Sequence, residues 1–503
     1  MTIKRKEPTE AEQNGIMYQI RQKYGIVGDT DGYKLGMIPQ YVPGADMMVS
    51  YFEARGGIRD RVLNFGADLI AKEYFLQRLT RKQANNMIAW SKKYLNNNVT
   101  EDLKIALDAV VNELGGRIPI RIRNAPEGLM IPVKNVLLTI ETTIPGEKWF
   151  SLVTYFETKL VRVWSPMTVG TTTYYIRQAI LAGLNKSSDD PAAEIDYKFV
   201  DFGSRGVGGG EVAAFAGAAV LVNSRASDTI IAIHAVEIAY GDPMAANTIP
   251  ATEHSTTGTH GRDGEINLVK QMFDAYAIPG GMFATVADTY DLMYFIRVIA
   301  PLFKERLIES GATWVFRPDS GDAIKTPIQC VVELEKVFGT TMNTKGYKVL
   351  NNVRVIQGDG IVPEQITEIL DGLMALGYSA SNMAFGMGGG LLQKNNRDTH
   401  KFALKCSAVR VNGVWQDVYK DPAVYDEDWN KLETTSFKAS KRGRLELLYN
   451  SVTDEYKTIR LEEIPNDMGD WEPLLETVLE DGYMIRNVSF DEVRRNSGML
   501  PPE

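Results

Sequence analysis

The chain opens on a polar stretch, MTIKRKEPTEAEQNG, and apolar order begins only after it. Residues 1–15 therefore read as a charged tail with too little apolar content to pack. Between residues 63 and 94 apolar positions recur every three or four residues, at Leu63, Ala67, Ile70, Ala71, Tyr74 and Phe75, which predicts helix. Over IPIRIRNAPEGLMIPVKNVLLTIETT the period falls to two, with Ile and Val abundant and Pro and Gly at the breaks, which predicts strands and turns. Helical spacing returns over 148–184.

The middle third has a different rhythm. Short apolar runs each end in a burst of Gly, Asp, Arg or Ser: YKFVDFGSRG, TIIAIHAVEIAYG, NTIPATEHS, FATVADTYD, TWVFRPDSGD, VRVIQGDG and NMAFGMGGG. Amphipathic stretches such as DTYDLMYFIRVIAPLFKERL and PEQITEILDGLMALG lie between several of them. Buried strand, polar carboxyl end, then helix, repeated along the chain, is the pattern of a (β/α) barrel. An open doubly wound sheet is the alternative, but it gathers ligand residues at one switch point rather than at six or seven strand ends. We expect the barrel over 191–400. Residues 16–190 are expected to be shared between a second, mostly β domain and the barrel edge, with 401–503 as the C-terminal part of that second domain. No fixed-period repeat or low-complexity tract interrupts this plan.

Composition narrows the function. The 503 residues carry a net charge of −9, which argues against a nucleic-acid or membrane-surface binder but leaves room for a local basic pocket. No run of 18 apolar residues occurs, and the N-terminus lacks the apolar core of a secretory signal. Cys330 and Cys406 suit a reducing compartment and build no disulfide or metal framework. A cytoplasmic protein is expected.

The strand ends carry the candidate chemistry. Gly386, Gly388, Gly389 and Gly390 in FGMGGGLLQK would let backbone N–H groups approach a phosphate, although a tight turn with no ligand has the same composition. RPDSGD and QGDG place Arg317, Asp319, Asp322 and Asp359 at successive ends, where carboxylates can accept from ribose hydroxyls and an arginine can pair with phosphate; Asp and Gly also favour turns unaided. In TEHS, His254 stands beside Ser255 and Thr256, which could cap a helix, and Asp288 of DTYD could orient its imidazole. In DFGSRG, Phe202 precedes Arg205 by three, a pairing suited to a flat base beside an anion, with core packing the plain alternative. Together these residues describe a site for a flat base, a ribose and phosphates.

With these residues and with DGYKLGMIPQY, VSYFEAR, PEGLMIP, ASDT, KGYKVL, RDTHKFALKCS, YKDP and SKRGRL, in this order over nearly its whole length, the chain resembles the nicotinamide phosphoribosyltransferase family. The resemblance implies an irregular (β/α) barrel of the type II phosphoribosyltransferase kind, a mostly β second domain and a homodimer with shared active sites. It implies transfer of ribose 5-phosphate from phosphoribosyl pyrophosphate to nicotinamide, with Mg²⁺ and with ATP as an activating co-substrate. Phe202 and the partner subunit's Tyr33 are then expected to sandwich the pyridine, and Asp228 to accept from the carboxamide. Arg317, Asp319, Gly358 and Asp359 are expected to hold the ribose; Gly388, Gly389 and Arg397 the 5′-phosphate. Arg55, Arg205, His254, Arg317, Lys405 and Lys420 are expected around the pyrophosphate, with His254 open to phosphorylation and Asp288 orienting it. Two departures stand out: Met387 and Ala403 replace serines of the family pattern, each removing a hydroxyl worth about 1 kcal/mol of phosphate binding.

Rival readings are a nicotinate or quinolinate phosphoribosyltransferase, a non-catalytic binding relative, and a barrel aldolase or isomerase. Asp228 would repel a carboxylate substrate. The near-complete set of polar site residues argues against a binding relative, and no strand end offers a Schiff-base lysine.

Overall fold

The computed structural model describes residues 13–98, 101–358, 360–432 and 439–502, so most of the expected tail lies outside the described residues. The chain divides into two compact units. One runs through Trp164 and resumes over Arg397–Val488; the other is Ser165–Asn396 with the segment from Ser489 onward.

The first unit is built on a seven-stranded antiparallel sheet. Its strand order is Val414–Asp417, Phe402–Val411, Ala45–Ala54, Val136–Thr142, Ile120–Asn124, Glu476–Glu480 and Tyr483–Met484. Alternating residues of Ile120–Asn124 are buried, as its two-residue period requires. Phe402–Val411 and Val414–Asp417 form a hairpin through Asn412-Gly413, both at positive φ, as a tight two-residue turn demands. The helical stretch after residue 63 is interrupted. A helical turn at Ala67–Ile70 widens over Ala71–Phe75, and the helix restarts as Arg81–Tyr94, where the Thr80 hydroxyl accepts from Gln83 N–H and the Gln83 side chain returns to Thr80 N–H.

The second unit holds six parallel strands in the order Ala226–Ser227, Phe199–Asp201, Met383–Met387, Val353–Gln357, Thr313–Arg317 and Met282–Val286. One short segment satisfies both edges of this sheet. Asn247 bridges Ala226, and Ala251 bridges Ala284, both parallel. The Ala284 N–H donates to Pro250 O at 2.8 Å, and Asn247 N–H to Arg225 O at 3.0 Å. The curled sheet thereby becomes an irregular barrel. Ala284, Val315 and Ile356 face inward with Val200, Phe202, Ile249 and Ala384. Their strand neighbours Phe283, Trp314 and Phe316 are buried among Phe273, Phe295, Phe303 and Phe338 of the helical layer.

Two of the apolar runs depart from the expected repeat. The run at 229–241 is not a strand but the helix Ile230–Tyr240, closed by Gly241 at φ 74°. Its 11 residues exceed a usual strand, and length separates a helix from a strand where apolar periodicity is weak. NTIPATEHS supplies the two closing bridges rather than a full strand. The last segment also departs from the expected 401–503 grouping, because the helix Phe490–Asn496 inserts a fully buried Arg494 into the second unit. Arg494 donates to Leu221 O at 3.1 Å and Ala245 O at 2.6 Å, satisfying carbonyls that no water can reach. Among the described residues no helix is long and apolar enough to cross a membrane.

Arg494→Met should fill most of the same space while orphaning both carbonyls. We expect a loss of about 2–4 kcal/mol in urea unfolding of the barrel. A change under about 0.5 kcal/mol would show that the guanidinium is not what anchors this segment.

Candidate active site

At the carboxyl ends of the barrel strands lies a cleft of about 630 Å³. Phe202, Arg205, Asp228, His254, Arg317, Asp319, Gly358, Gly388 and Gly389 all line it. Nine of the residues singled out from the sequence thus converge, each delivered by a strand end, by the loop that follows one, or, for His254, by the helix that follows the closing segment. Asp359 lies outside the described residues. Asp322 is exposed and caps its own loop, accepting from Ile324 and Lys325 N–H.

Phe202 owes its seat to glycines. A Cβ on Gly386 would come within 2.0 Å of the Phe202 ring, and one on Gly358 within 2.8 Å. Two of the glycines read as phosphate or ribose contacts therefore also make room for an aromatic platform. Gly206 and Gly389 abut in the same way, since a Cβ on Gly206 would stand 2.6 Å from Gly389 Cα. Beside the ring, Asp228 Oδ1 accepts from the Thr248 hydroxyl at 2.5 Å. A further cavity of about 430 Å³ inside the barrel shares Phe202, Asp228 and Arg317 with the cleft and is otherwise largely apolar.

His254 is the first residue of the helix His254–His260. Glu253, rather than Ser255 or Thr256 alone, sits at its N-cap and exchanges hydrogen bonds with Thr256. The imidazole side chain is about half exposed, at 49%. Nε2 lies 3.1 Å from Asp319 Oδ2, and Nδ1 lies 3.1 Å from the Thr289 hydroxyl. Asp319 Oδ1 is 3.8 Å from Arg317 Nε, so one carboxylate stands between a histidine and an arginine. Asp288 does not meet the imidazole as expected. It accepts from Asp319 N–H at 2.8 Å and Ser320 Oγ at 2.5 Å, so it shapes the loop that carries Asp319.

The remaining candidates belong to the first unit. Arg55, Arg397, Lys405 and Lys420 line a cavity of about 440 Å³, joined by Lys401 and a single acid, Asp398. Ala403 lines it too, so the missing hydroxyl falls within an anion-sized basic pocket. Burial lowers the Lys405 pKa, Glu157 opposes that, and the charges of Arg55, Arg397 and Lys420 lower it further. Cations held together against their repulsion are preorganised for a polyanion. Arg397 thus lies with the basic group, whereas Gly388 and Gly389 line the cleft. Tyr33 is two-thirds exposed on the turn Gly32–Gly36 and lines none of these three cavities.

Comparison with known proteins gives this arrangement a context. Residues 197–448 match the model of the nicotinate phosphoribosyltransferase family, and residues 25–122 match that of the nicotinamide phosphoribosyltransferase N-terminal domain. A nicotinamide phosphoribosyltransferase of Xanthomonas campestris is 44% identical over 93% of this chain and 97% of its own. The chain belongs to the nicotinamide phosphoribosyltransferase family. Another relative so named, from Mycoplasma pneumoniae, is 30% identical over 61% of this chain and 68% of its own. Among solved structures, nicotinate-nucleotide pyrophosphorylase from Pyrococcus furiosus matches the fold with a TM-score of 0.60. Its identity is 14%, over 95% of each chain.

Several residues around the cleft and around the basic pocket escaped the sequence reading. Thr248 and Thr289 follow bridge or strand ends, but a threonine in a turn carries no distinctive signal. Lys401 was hidden among the surrounding basic residues. His400 is a different case. It is fully buried, neither ring nitrogen has a hydrogen-bond partner, and its ring packs 5.9 Å from Phe402. Its carbonyl accepts from Arg55 N–H at 3.2 Å, so it supports the wall of the basic pocket.

Burial, aided by the Arg59 charge, pushes the His400 pKa down from 6.5 to about 4. A folded pKa below the unfolded one means that the unfolded chain binds the proton more readily. Stability should therefore fall as pH drops from 6.5 towards 4 and level off below that. His400→Leu should flatten this part of the profile, retaining roughly 2–3 kcal/mol that the parent loses. Parallel acid-unfolding curves for the two proteins would refute the assignment.

Proposed function

We propose that the enzyme joins nicotinamide to the ribose 5-phosphate of phosphoribosyl pyrophosphate, giving nicotinamide mononucleotide and pyrophosphate, a step of NAD salvage. The observation that carries this reading is the pairing of the Phe202 ring with Asp228 in a cleft that also holds Arg205, Arg317 and Asp319. A ring platform suits a pyridine. Thr248 occupies Asp228 Oδ1, leaving Oδ2 to accept from a carboxamide NH₂. Nicotinate would bring a second carboxylate to the same place.

In this mechanism the bond from ribose C1 to pyrophosphate breaks as the pyridine nitrogen approaches, through an oxocarbenium-like state. The pyridine nitrogen carries no proton, so no general base is required. Arg205 and Arg317 offset the charge of the departing pyrophosphate, and Asp319 accepts from ribose hydroxyls. Mg²⁺ carried with the substrate phosphates would need only one or two protein carboxylates, and Asp319 is the cleft carboxylate that would hold it. Bound there, it would neutralise charge on the leaving group. His254, half exposed beside Asp319, is proposed to accept the γ-phosphoryl group of ATP on a ring nitrogen, the N–P bond forming as the bond to the β-phosphate oxygen breaks and ADP leaves, which adds negative charge near Arg317.

The proposal extends to a homodimer in the cytoplasm. The family resemblance assigns the partner subunit's Tyr33 to the second face of the pyridine, and the partner subunit's Arg55, Lys405 and Lys420 to the pyrophosphate. The exposure of Tyr33 and the unpaired state of both cysteines support these readings.

An assay with phosphoribosyl pyrophosphate and either pyridine tests the substrate. Nicotinamide should be preferred, and Asp228→Ala should lower its kcat/KM by about 10- to 100-fold, the worth of a hydrogen bond to a charged group, while narrowing the gap to nicotinate. A parent enzyme that prefers nicotinate would overturn the reading. His254→Ala should remain folded but lose ATP hydrolysis; undiminished hydrolysis would move the phosphoryl acceptor elsewhere. For the dimer, inactive Tyr33→Ala and inactive Asp319→Ala chains are mixed under subunit exchange. Activity should reappear in heterodimers, where one site is intact, and verified heterodimers without activity would exclude the shared site.

A further inference from the structure

Phe199, Asp201 and their counterparts on neighbouring strands alternate with the inward-facing Val200 and Phe202. Most of the equivalent non-lumenal positions elsewhere in the barrel are apolar, as at Phe283, Trp314, Phe316 and Phe385, and Ser227, Thr285 and Gln357 are uncharged. Asp201 is the one carboxylate among these strand positions. It is fully buried and does not line the cleft, and its carboxylate lies against Gly217 of the helix Gly210–Leu221, where a Cβ would sit 3.5 Å from Oδ2. Oδ2 makes no hydrogen bond of good geometry, although the Thr229 hydroxyl is its neighbour. Burial pushes the pKa up to about 6. A buried carboxylate oxygen without a partner costs stability, so packing alone does not account for a carboxylate here.

Its contacts offer another account. Oδ1 accepts from Gly203 N–H at 2.7 Å, pinning the turn immediately after Phe202. The main-chain carbonyl of Asp201 accepts from Asp228 N–H at 2.9 Å. Phe202 N–H is itself held by Met387 O at 2.8 Å, so the turn is tied on both sides of the ring. One residue thus reaches both halves of the base subsite: the ring platform through its side chain, and the amide acceptor through its backbone.

We propose that Asp201 is a positioning residue for the pyridine subsite, fixing the seat of the Phe202 ring through its carboxylate oxygen rather than contributing to the fold. This rests on the assignment of Phe202 and Asp228 to the pyridine. The part that matters is the Oδ1 acceptor, because Gly203 N–H is buried under the turn and has to be satisfied for Phe202 to keep its place. The charge is dispensable. Asparagine offers the same acceptor and turns an amide towards Thr229.

The experiment compares steady-state kinetics of the full-length enzyme with Asp201→Asn and Asp201→Ala, each checked for folding by thermal unfolding. Asp201→Ala should raise KM for the pyridine by about tenfold or more while KM for phosphoribosyl pyrophosphate stays within about twofold. Asp201→Asn should bring the pyridine KM back to within about threefold of the parent. Should the alanine chain not fold, Asp201→Val replaces it, since an apolar β-branched side chain suits a buried strand position and still lacks the acceptor. Both KM values rising together, neither rising, or a folded asparagine variant as impaired as alanine would each overturn the proposal. The split is read on whichever pyridine the parent turns over. A nicotinate-specific parent would therefore sink the substrate reading while the Asp201 comparison still gives its own answer.

Discussion

A parallel sheet can place its carboxyl ends around one cleft only if its edges are satisfied, and here five residues between Asn247 and Ala251 satisfy both of them. Unpaired edges would leave rows of backbone donors and acceptors exposed and the sheet free to flatten. By bridging Ala226 on one side and Ala284 on the other, the segment forces the sheet to curl and brings the loops after Asp201, Val286 and Arg317 towards a common centre. The same segment carries Thr248 and leads directly into Glu253 and His254. Closure and chemistry are therefore one piece of backbone, and the positions of Asp228 and His254 both depend on it.

Charge is arranged by unit. The barrel cleft mixes Arg205 and Arg317 with Asp228 and Asp319, whereas the cavity of the first unit gathers Arg55, Arg397, Lys401, Lys405 and Lys420 against one aspartate. A mixed cleft can orient a neutral base and a sugar, each through directional bonds. A nearly pure cationic pocket does little orienting but attracts a polyanion strongly. The net charge of −9 for the chain hides this local contrast completely.

The barrel was legible because its strands are short, apolar and punctuated by Gly, Asp and Arg, a pattern that survives without knowledge of the contacts. The runs that became Phe199–Asp201, Met282–Val286, Thr313–Arg317, Val353–Gln357 and Met383–Met387 all showed it. Ile230–Tyr240 misled because a run with apolar residues on every face has no period to read. The gathering of Phe202, Asp228, His254, Arg317 and Asp319 was legible as a set, through motif order. Which carboxylate would meet the imidazole was not, since Asp288 and Asp319 sit on loops whose relative placement depends on neighbouring strands. Asp201 was passed over for a related reason: in DFGSRG it reads as one more turn former, and only the burial of its side chain sets it apart.

The antiparallel sheet of the first unit has a consequence for the order in which the molecule can be made. Its interior strand Ala45–Ala54 pairs with Phe402–Val411, and Asp46 is joined to Arg410 by two bonds of 2.8 and 2.7 Å across 364 positions of chain. On the ribosome, every barrel strand emerges before that partner exists. The early strand must wait with one edge unpaired through most of translation, because closing so long a loop brings no contact until the far segment arrives. The barrel segments, by contrast, are contiguous from Ser165 to Asn396 and can begin to assemble as they appear. Nascent chains stalled shortly before residue 402 are thus the state in which this protein is most exposed to mispairing, and the state for which a chaperone would matter most.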